Sequence, residues 1–223
     1  MLGRHDLVVR NVMSDGAWRT NRPRPAQYLR DISKDLPFFA MFGGNYHNVF
    51  GLTEHPVPFD FVLPSRERLG AEPGRTLVPY HILRARFENE LAARVLRMTK
   101  NYCALFTGAV HCVLPPPPIP DNQFVLDHAG PYFRSTIARG VSPPGIRIKL
   151  YDLCCQVCSD FYRAEGITVV PPPKEAVDEE GFLERRYWRN DATHANAAYG
   201  ELVLRQIDSL NGGERGASIP EQT

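Results

Sequence analysis

The sequence predicts an α/β fold built on a parallel sheet, and three features predict it. Short β-branched runs alternate along the chain with stretches of helical periodicity. Each apolar run stops at a turn signal or a run of prolines. The helical stretches place their apolar residues three and four apart, on one face. The 223 residues suit a single domain, and a 43% hydrophobic share against 23% charged can bury a sizeable core.

The elements follow in order. Residues 7–12 (LVVRNV) read as a buried strand that ends at the turn Ser14-Asp15-Gly16. Residues 25–33 suit a short helix with Pro25 in its first turn. Residues 37–42 (PFFAMF) form the next strand and stop at Gly43-Gly44-Asn45. Residues 50–80 hold no sustained period and read as an irregular excursion. Leu83, Phe87, Leu91, Val95 and Met98 then line one face of a helix over residues 82–100. Residues 104–114 supply a third strand, and the prolines at 115–118 carry the chain out of the sheet, whose interior they cannot occupy. A second irregular stretch covers residues 121–144. Ile146, Leu150, Leu153, Val157 and Phe161 mark a helix over residues 146–164, ended by Gly166 and followed by a strand at 167–170. The last helix opens near Thr193, turns Ala198, Leu202 and Ile207 inward, and gives way after residue 210 to a Gly-rich polar tail. Right-handed crossovers put functional groups of such a fold at the C-terminal ends of its strands.

Charge and composition exclude several classes. Lys and Arg number 26 against 25 Asp and Glu, a balance with no footprint for nucleic acid or an anionic membrane surface. No segment approaches the roughly 20 apolar residues of a membrane span, and the first residues lack the apolar stretch of a signal peptide. The expectation is a cytoplasmic protein whose five cysteines are free thiols. Cys154, Cys155 and Cys158 lie in a helical stretch, where the C-x-x-C spacing suits neither zinc nor a redox turn, so buried thiols are expected. His55, His81, His111 and His128 show no ligand spacing, and no metal or organic cofactor is implied.

The candidate chemistry lies after the strands. In Asp191-Ala192-Thr193-His194 the carboxylate can fold back onto the imidazole, fix its tautomer and leave Nε2 as a general base. The alternative is that Asp191 or Thr193 caps the last helix. Asn45 can aim its side-chain NH₂ at a developing oxyanion, with Gly43 and Gly44 allowing close approach; the alternative is an ordinary glycine turn with Asn in a left-handed conformation. Gly16 can donate its backbone N–H to the same oxyanion. His47 and Asn48 follow closely, either to contact substrate or as a surface turn.

Taken together, Gly16, Gly43-x-Asn45 and Asp191-x-x-His194 resemble the later blocks of SGNH (GDSL-like) hydrolases, and residues 191–200 (DATHANAAYG) are especially similar to that family's final block. The resemblance spans roughly residues 7–210. It implies a flavodoxin-like three-layer αβα sandwich that hydrolyses a small-molecule or acyl ester through an acyl-serine. His194 would be the base, Asp191 its orienter, and Gly16 and Asn45 the oxyanion hole. The family's first block, a strand ending in Gly-Asp-Ser, has no counterpart, so the nucleophile is unassigned. Ser14 is a candidate two residues before Gly16, while Ser33, Ser65, Ser135, Ser142 and Ser159 lack an elbow context. The first strand of that fold lies between the second and third, and without it two sheet edges are unpaired, which leaves oligomerisation open. Either the product extends upstream, or the chain is a non-catalytic binding protein on a degenerate hydrolase scaffold.

Overall fold

The computed structural model describes residues 35–41 and 45–215, with side chains to residue 211. The strand expected over 7–12, the helix over 25–33, Ser14, Gly16, Ser33 and the Gly43-Gly44 pair lie outside the described residues. Within them, the three expected strands form one parallel sheet. Strand β1 (Phe38–Ala40) pairs with β4 (Val110–Val113), and β4 with β5 (Thr168–Val170). The order β1-β4-β5 follows the sequence, so each crossover steps to the adjacent position. Among the described residues β1 pairs on one side only. The protein is thus an α/β protein with a parallel sheet.

The pleat explains why the strands are apolar throughout. Phe38, Ala40, Val110, Cys112 and Val169 face one hydrophobic cluster, whereas Phe39, Val113 and Val170 face another, so both sheet faces are covered. The first cluster receives α2 (Tyr80–Leu91) and α5 (Pro144–Ala164), the helices of the two crossovers. A π-helical turn over Ala92–Leu96 links α2 to α3 (Arg97–Cys103), so the expected helix runs further than 82–100 but changes pitch midway. The second cluster receives α6 (Ala197–Arg215) through Leu202, Val203 and Ile207. Ala198, expected inward, is exposed, and Tyr199 is buried instead. Each large apolar side chain buried in this way is worth about 1.5–3 kcal/mol.

Gly166 ends α5 as the sequence predicts. Its φ is +71°, its N–H donates to Arg163 O, and the Ile167 N–H reaches back to Tyr162 O at 2.9 Å. These two bonds form a Schellman cap, and Tyr162 and Ile167 meet in the core.

The two stretches without period are more ordered than their sequence suggests. Residues 50–80 begin in α1 (Tyr46–Gly51) and carry β2 (Phe59–Asp60), a 3₁₀ segment (Pro64–Leu69) and β3 (Thr76–Leu77), with β2 and β3 paired in parallel. A Cβ on Gly51 would collide with the Leu150 side chain, so α1 can lie this close to α5 only with glycine there. Residues 121–144 contain α4 (Asn122–Asp127), capped by the Asp121 carboxylate, which accepts from Phe124 N–H at 2.9 Å.

A fully buried ion pair ties the first stretch to α5. Lys149 and Asp60 are 1% exposed or less, and Lys149 Nζ donates to Asp60 Oδ1 at 2.5 Å, Phe61 O at 3.0 Å and Gly70 O at 2.9 Å. The Asp60 carboxylate also accepts from the backbone N–H groups of Phe61 and Glu72. Every ammonium proton has an acceptor, the condition under which a buried pair is tolerated. Arg66–Asp152, Gln156–Ser65 and Tyr80–Gln156 extend the same seam. No helix among the described residues is long and apolar enough to cross a membrane.

Candidate active site

Asp191 and His194 lie in a loop closed at its neck. The backbones of Trp188 and Ala195 form an antiparallel bridge, Arg189 N–H donates to His194 O, and the Asn196 amide donates to Arg186 O and Trp188 O. Buried Ala192 anchors the loop against the second core cluster, which also holds Leu52, Val125 and Tyr187. The loop therefore packs on the cluster that covers the second sheet face, and Phe124 of the second irregular stretch packs on Trp188 at its neck.

Within the loop the carboxylate folds back as the spacing predicts. His194 Nδ1 lies 2.9 Å from Asp191 Oδ1, and the same oxygen accepts from Thr193 N–H at 2.9 Å and His194 N–H at 2.8 Å. An ionised carboxylate only accepts, so Nδ1 carries a proton, and in the neutral ring that tautomer puts the lone pair on Nε2. Thr193 Oγ1 is also 3.1 Å from Nδ1. Burial works to raise the Asp191 pKa, but the bonds from Thr193 N–H and from the His194 ring and backbone N–H outweigh it and hold the carboxyl below its ordinary value. The His194 side chain is 59% exposed, so its free nitrogen is accessible.

The helix-capping alternative fails on position. α6 opens at Ala197, and its cap is Asn196, whose side-chain oxygen accepts from Tyr199 N–H at 3.2 Å. Helix entry near Thr193 is corrected accordingly: the bridge at Ala195 keeps the chain extended until Asn196.

The Asn45 neighbourhood differs from expectation in three respects. Asn45 precedes α1 with φ −90° and ψ 12°, so it is not left-handed. Its side-chain oxygen accepts from Asn48 Nδ2 at 2.5 Å, which fixes the amide and turns its own NH₂ away from Asn48. His47 and Asn48 are 3% and 4% exposed, so neither forms a surface turn and neither presents its side chain to solvent for substrate contact. Burial in α1 explains this: His47 packs edge-on against Tyr151 with ring centroids 5.1 Å apart. Ser142 and Ser159 are buried, Ser65 accepts from Gln156, and Ser209 donates to Arg205 O. Among the described residues no serine hydroxyl is hydrogen-bonded to His194.

One buried group near the strand ends escaped the sequence reading. Arg147 of α5 is 2% exposed and its Nη2 donates to Pro120 O at 2.8 Å and Asn122 Oδ1 at 2.6 Å, pinning the proline run that leaves β4. Burial pulls its pKa down to about 10, against the opposing pull of Asp121. Lys149, two residues on, escaped for the same reason: both sit within the apolar run IRIKL, and a charge inside such a run was the available signal.

All five cysteines are free thiols. Burial raises Cys103 to about 11 and Cys112 to about 12, so both stay protonated and unreactive at neutral pH. Cys154 is raised by its hydrogen bond with Cys158 and by burial, and Cys155 by burial. Among the described residues no three His, Cys, Asp or Glu side chains converge to hold a metal ion.

Comparison of the chain with family models, with curated proteins and with solved structures returned no match in any of the three.

Proposed function

We infer that the chain is built on an SGNH-type hydrolase scaffold and that Asp191 and His194 serve as orienter and general base in cleaving a carboxylic ester. The observation that carries this reading is the 2.9 Å Nδ1–Oδ1 bond in a closed loop immediately before the terminal helix. In the neutral ring this bond places the lone pair on Nε2, on a side chain that is 59% exposed, as a base requires. The arrangement of helices is in keeping with a flavodoxin-like three-layer sandwich, with both crossover helices on one sheet face and the last helix on the other. In the proposed reaction His194 Nε2 takes the proton of a serine hydroxyl as the oxygen attacks the ester carbonyl. It then returns that proton to the departing alcohol, and water repeats the cycle on the acyl-enzyme. Ser14 remains the sequence candidate for the nucleophile, and Gly16 and Asn45 for the oxyanion donors.

A second reading, a non-catalytic binding protein on the same scaffold, is favoured by one observation: the hydrogen bonds of His194 go to Asp191 and Thr193 and to no described serine. Steady-state hydrolysis of 4-nitrophenyl acetate by the wild type and by His194→Ala separates the two. The hydrolase reading expects kcat/KM to fall about 10²–10⁴-fold in the variant. Equal rates in two folded proteins favour the binding protein.

A further inference from the structure

The described surface carries a second candidate site, away from Asp191 and His194. A cavity of about 220 Å³ opens between α1, α2 and the stretch joining them, walled by Phe50, Val57, Phe59, Val78 and Leu83, with His55 and Thr76 at its polar points. Three of the lining side chains are rings. Phe50 and Phe59 lie with centroids 5.8 Å apart, and His55 stands edge-on to Phe59 at 5.7 Å. Behind them Phe87 meets both Phe50 and Tyr46 edge-to-face, so the aromatic wall is braced by further rings.

A pocket on an irregular stretch would ordinarily collapse, and this one is held open. The wall segments 55–59 and 76–78 are each preceded by one half of a clamp. Arg75, just before Thr76, donates to both carboxylate oxygens of Glu54, just before His55, at 2.5 and 3.1 Å, and its Nε donates to Glu72 at 2.8 Å. Both partners are largely shielded, with side chains 13% and 18% exposed. Pairing of Phe59 with Thr76 fixes the same two segments in register, and the buried Asp60–Lys149 pair fastens the base to α5. The Glu54 backbone is held in turn by Arg139 Nε and by Gly140 O.

We propose that this cavity binds a small uncharged aromatic group, a benzene ring carrying one or two small substituents. A closed apolar cavity of about 150 Å³ in another protein is large enough for benzene. The pocket here is larger and open to solvent on one side, which leaves room for small substituents at its mouth, beside His55 and Thr76. Rings favour edge-to-face partners, which Phe50, Phe59 and His55 supply from different directions. Apolar walls with few polar points are the general character of small-ligand sites. A charged ligand is disfavoured because the Arg75 and Glu54 charges are already spent on each other. The site is independent of the hydrolase reading, since none of its residues belongs to the Asp191–His194 loop.

The test is titration of the full chain with 4-methylphenol, followed through the methyl resonances of Val57, Val78 and Leu83, with 4-methylbenzoate as the charged counterpart. Saturable shifts confined to those methyls are expected for 4-methylphenol, with at least tenfold weaker binding of the benzoate. Val57→Trp fills the mouth from a position 56% exposed in the wild type, so the fold should tolerate it. It is expected to weaken 4-methylphenol binding at least tenfold with an unchanged thermal midpoint. Arg75→Gln opens the clamp and is expected to weaken binding by a smaller factor. Non-saturable shifts in the wild type, or undiminished binding by folded Val57→Trp, would overturn the proposal.

Discussion

The dyad loop and the 52–80 stretch are both irregular, yet they are held in opposite ways. The loop around Asp191 closes on itself: its hydrogen bonds join residues no more than 10 positions apart, and many converge on one carboxylate oxygen or on Asn196. The 52–80 stretch is fastened to a helix far away in sequence, with Asp60 to Lys149 and Ser65 to Gln156 separated by 89 and 91 residues. A locally closed loop can present exposed chemistry on a stable base. A remotely fastened stretch can keep a cavity open, but only while its fasteners are intact.

The largest effect expected from breaking this contrast is on the remote side. Lys149→Met strands the Asp60 carboxylate in the core with no counter-charge, and urea unfolding should show a loss of about 3–5 kcal/mol. Asp191→Ala removes three hydrogen bonds from a partly exposed loop, with an expected cost of about 1–2 kcal/mol. That cost should appear as faster amide exchange over residues 187–196 while amides of α5 keep their protection. Asn196→Ala deletes the cap of α6 and should cost about 1 kcal/mol by the same unfolding measurement. Smaller still, Glu165→Gln removes the Lys100–Glu165 pair on the surface, where the Lys side chain is 51% exposed, and should change stability by no more than about 1 kcal/mol.

Acid sharpens the comparison further. Because hydrogen bonding depresses the Asp191 pKa, its contribution is present above the ordinary carboxylate range and is lost as pH falls through the depressed folded value. Exchange protection of the loop should therefore survive to pH values below an ordinary aspartate titration and then fall. Asp191→Asn should remove that step from the pH profile.

Legibility in the sequence follows the same division. Strands β1, β4 and β5 could be read because each is a short apolar run with a proline or glycine boundary, and α5 because its apolar spacing is unbroken up to Gly166. The Asp191–His194 contact could be read because three residues of spacing suffice to close it. The order inside 50–80 could not: β2 and β3 have two residues each, and what fixes them is a lysine whose partner lies almost 90 positions earlier. Helix entry was misplaced because Asp191, Thr193 and Asn196 all have capping chemistry, and only the Trp188–Ala195 bridge decides among them. The burial of His47 and Asn48 was equally hidden, since α1 has no apolar period and is drawn inward by Tyr151 and Leu150 of α5.

The most direct measurement for the proposed role of Asp191 and His194 is covalent labelling of the full chain by a fluorophosphonate, read by intact mass and located by peptide mapping. The account predicts a single adduct on one serine, formed in the wild type and at least 10²-fold more slowly in His194→Ala and Asp191→Ala. Absence of any adduct on the folded wild type, or labelling at the same rate in His194→Ala, would contradict it.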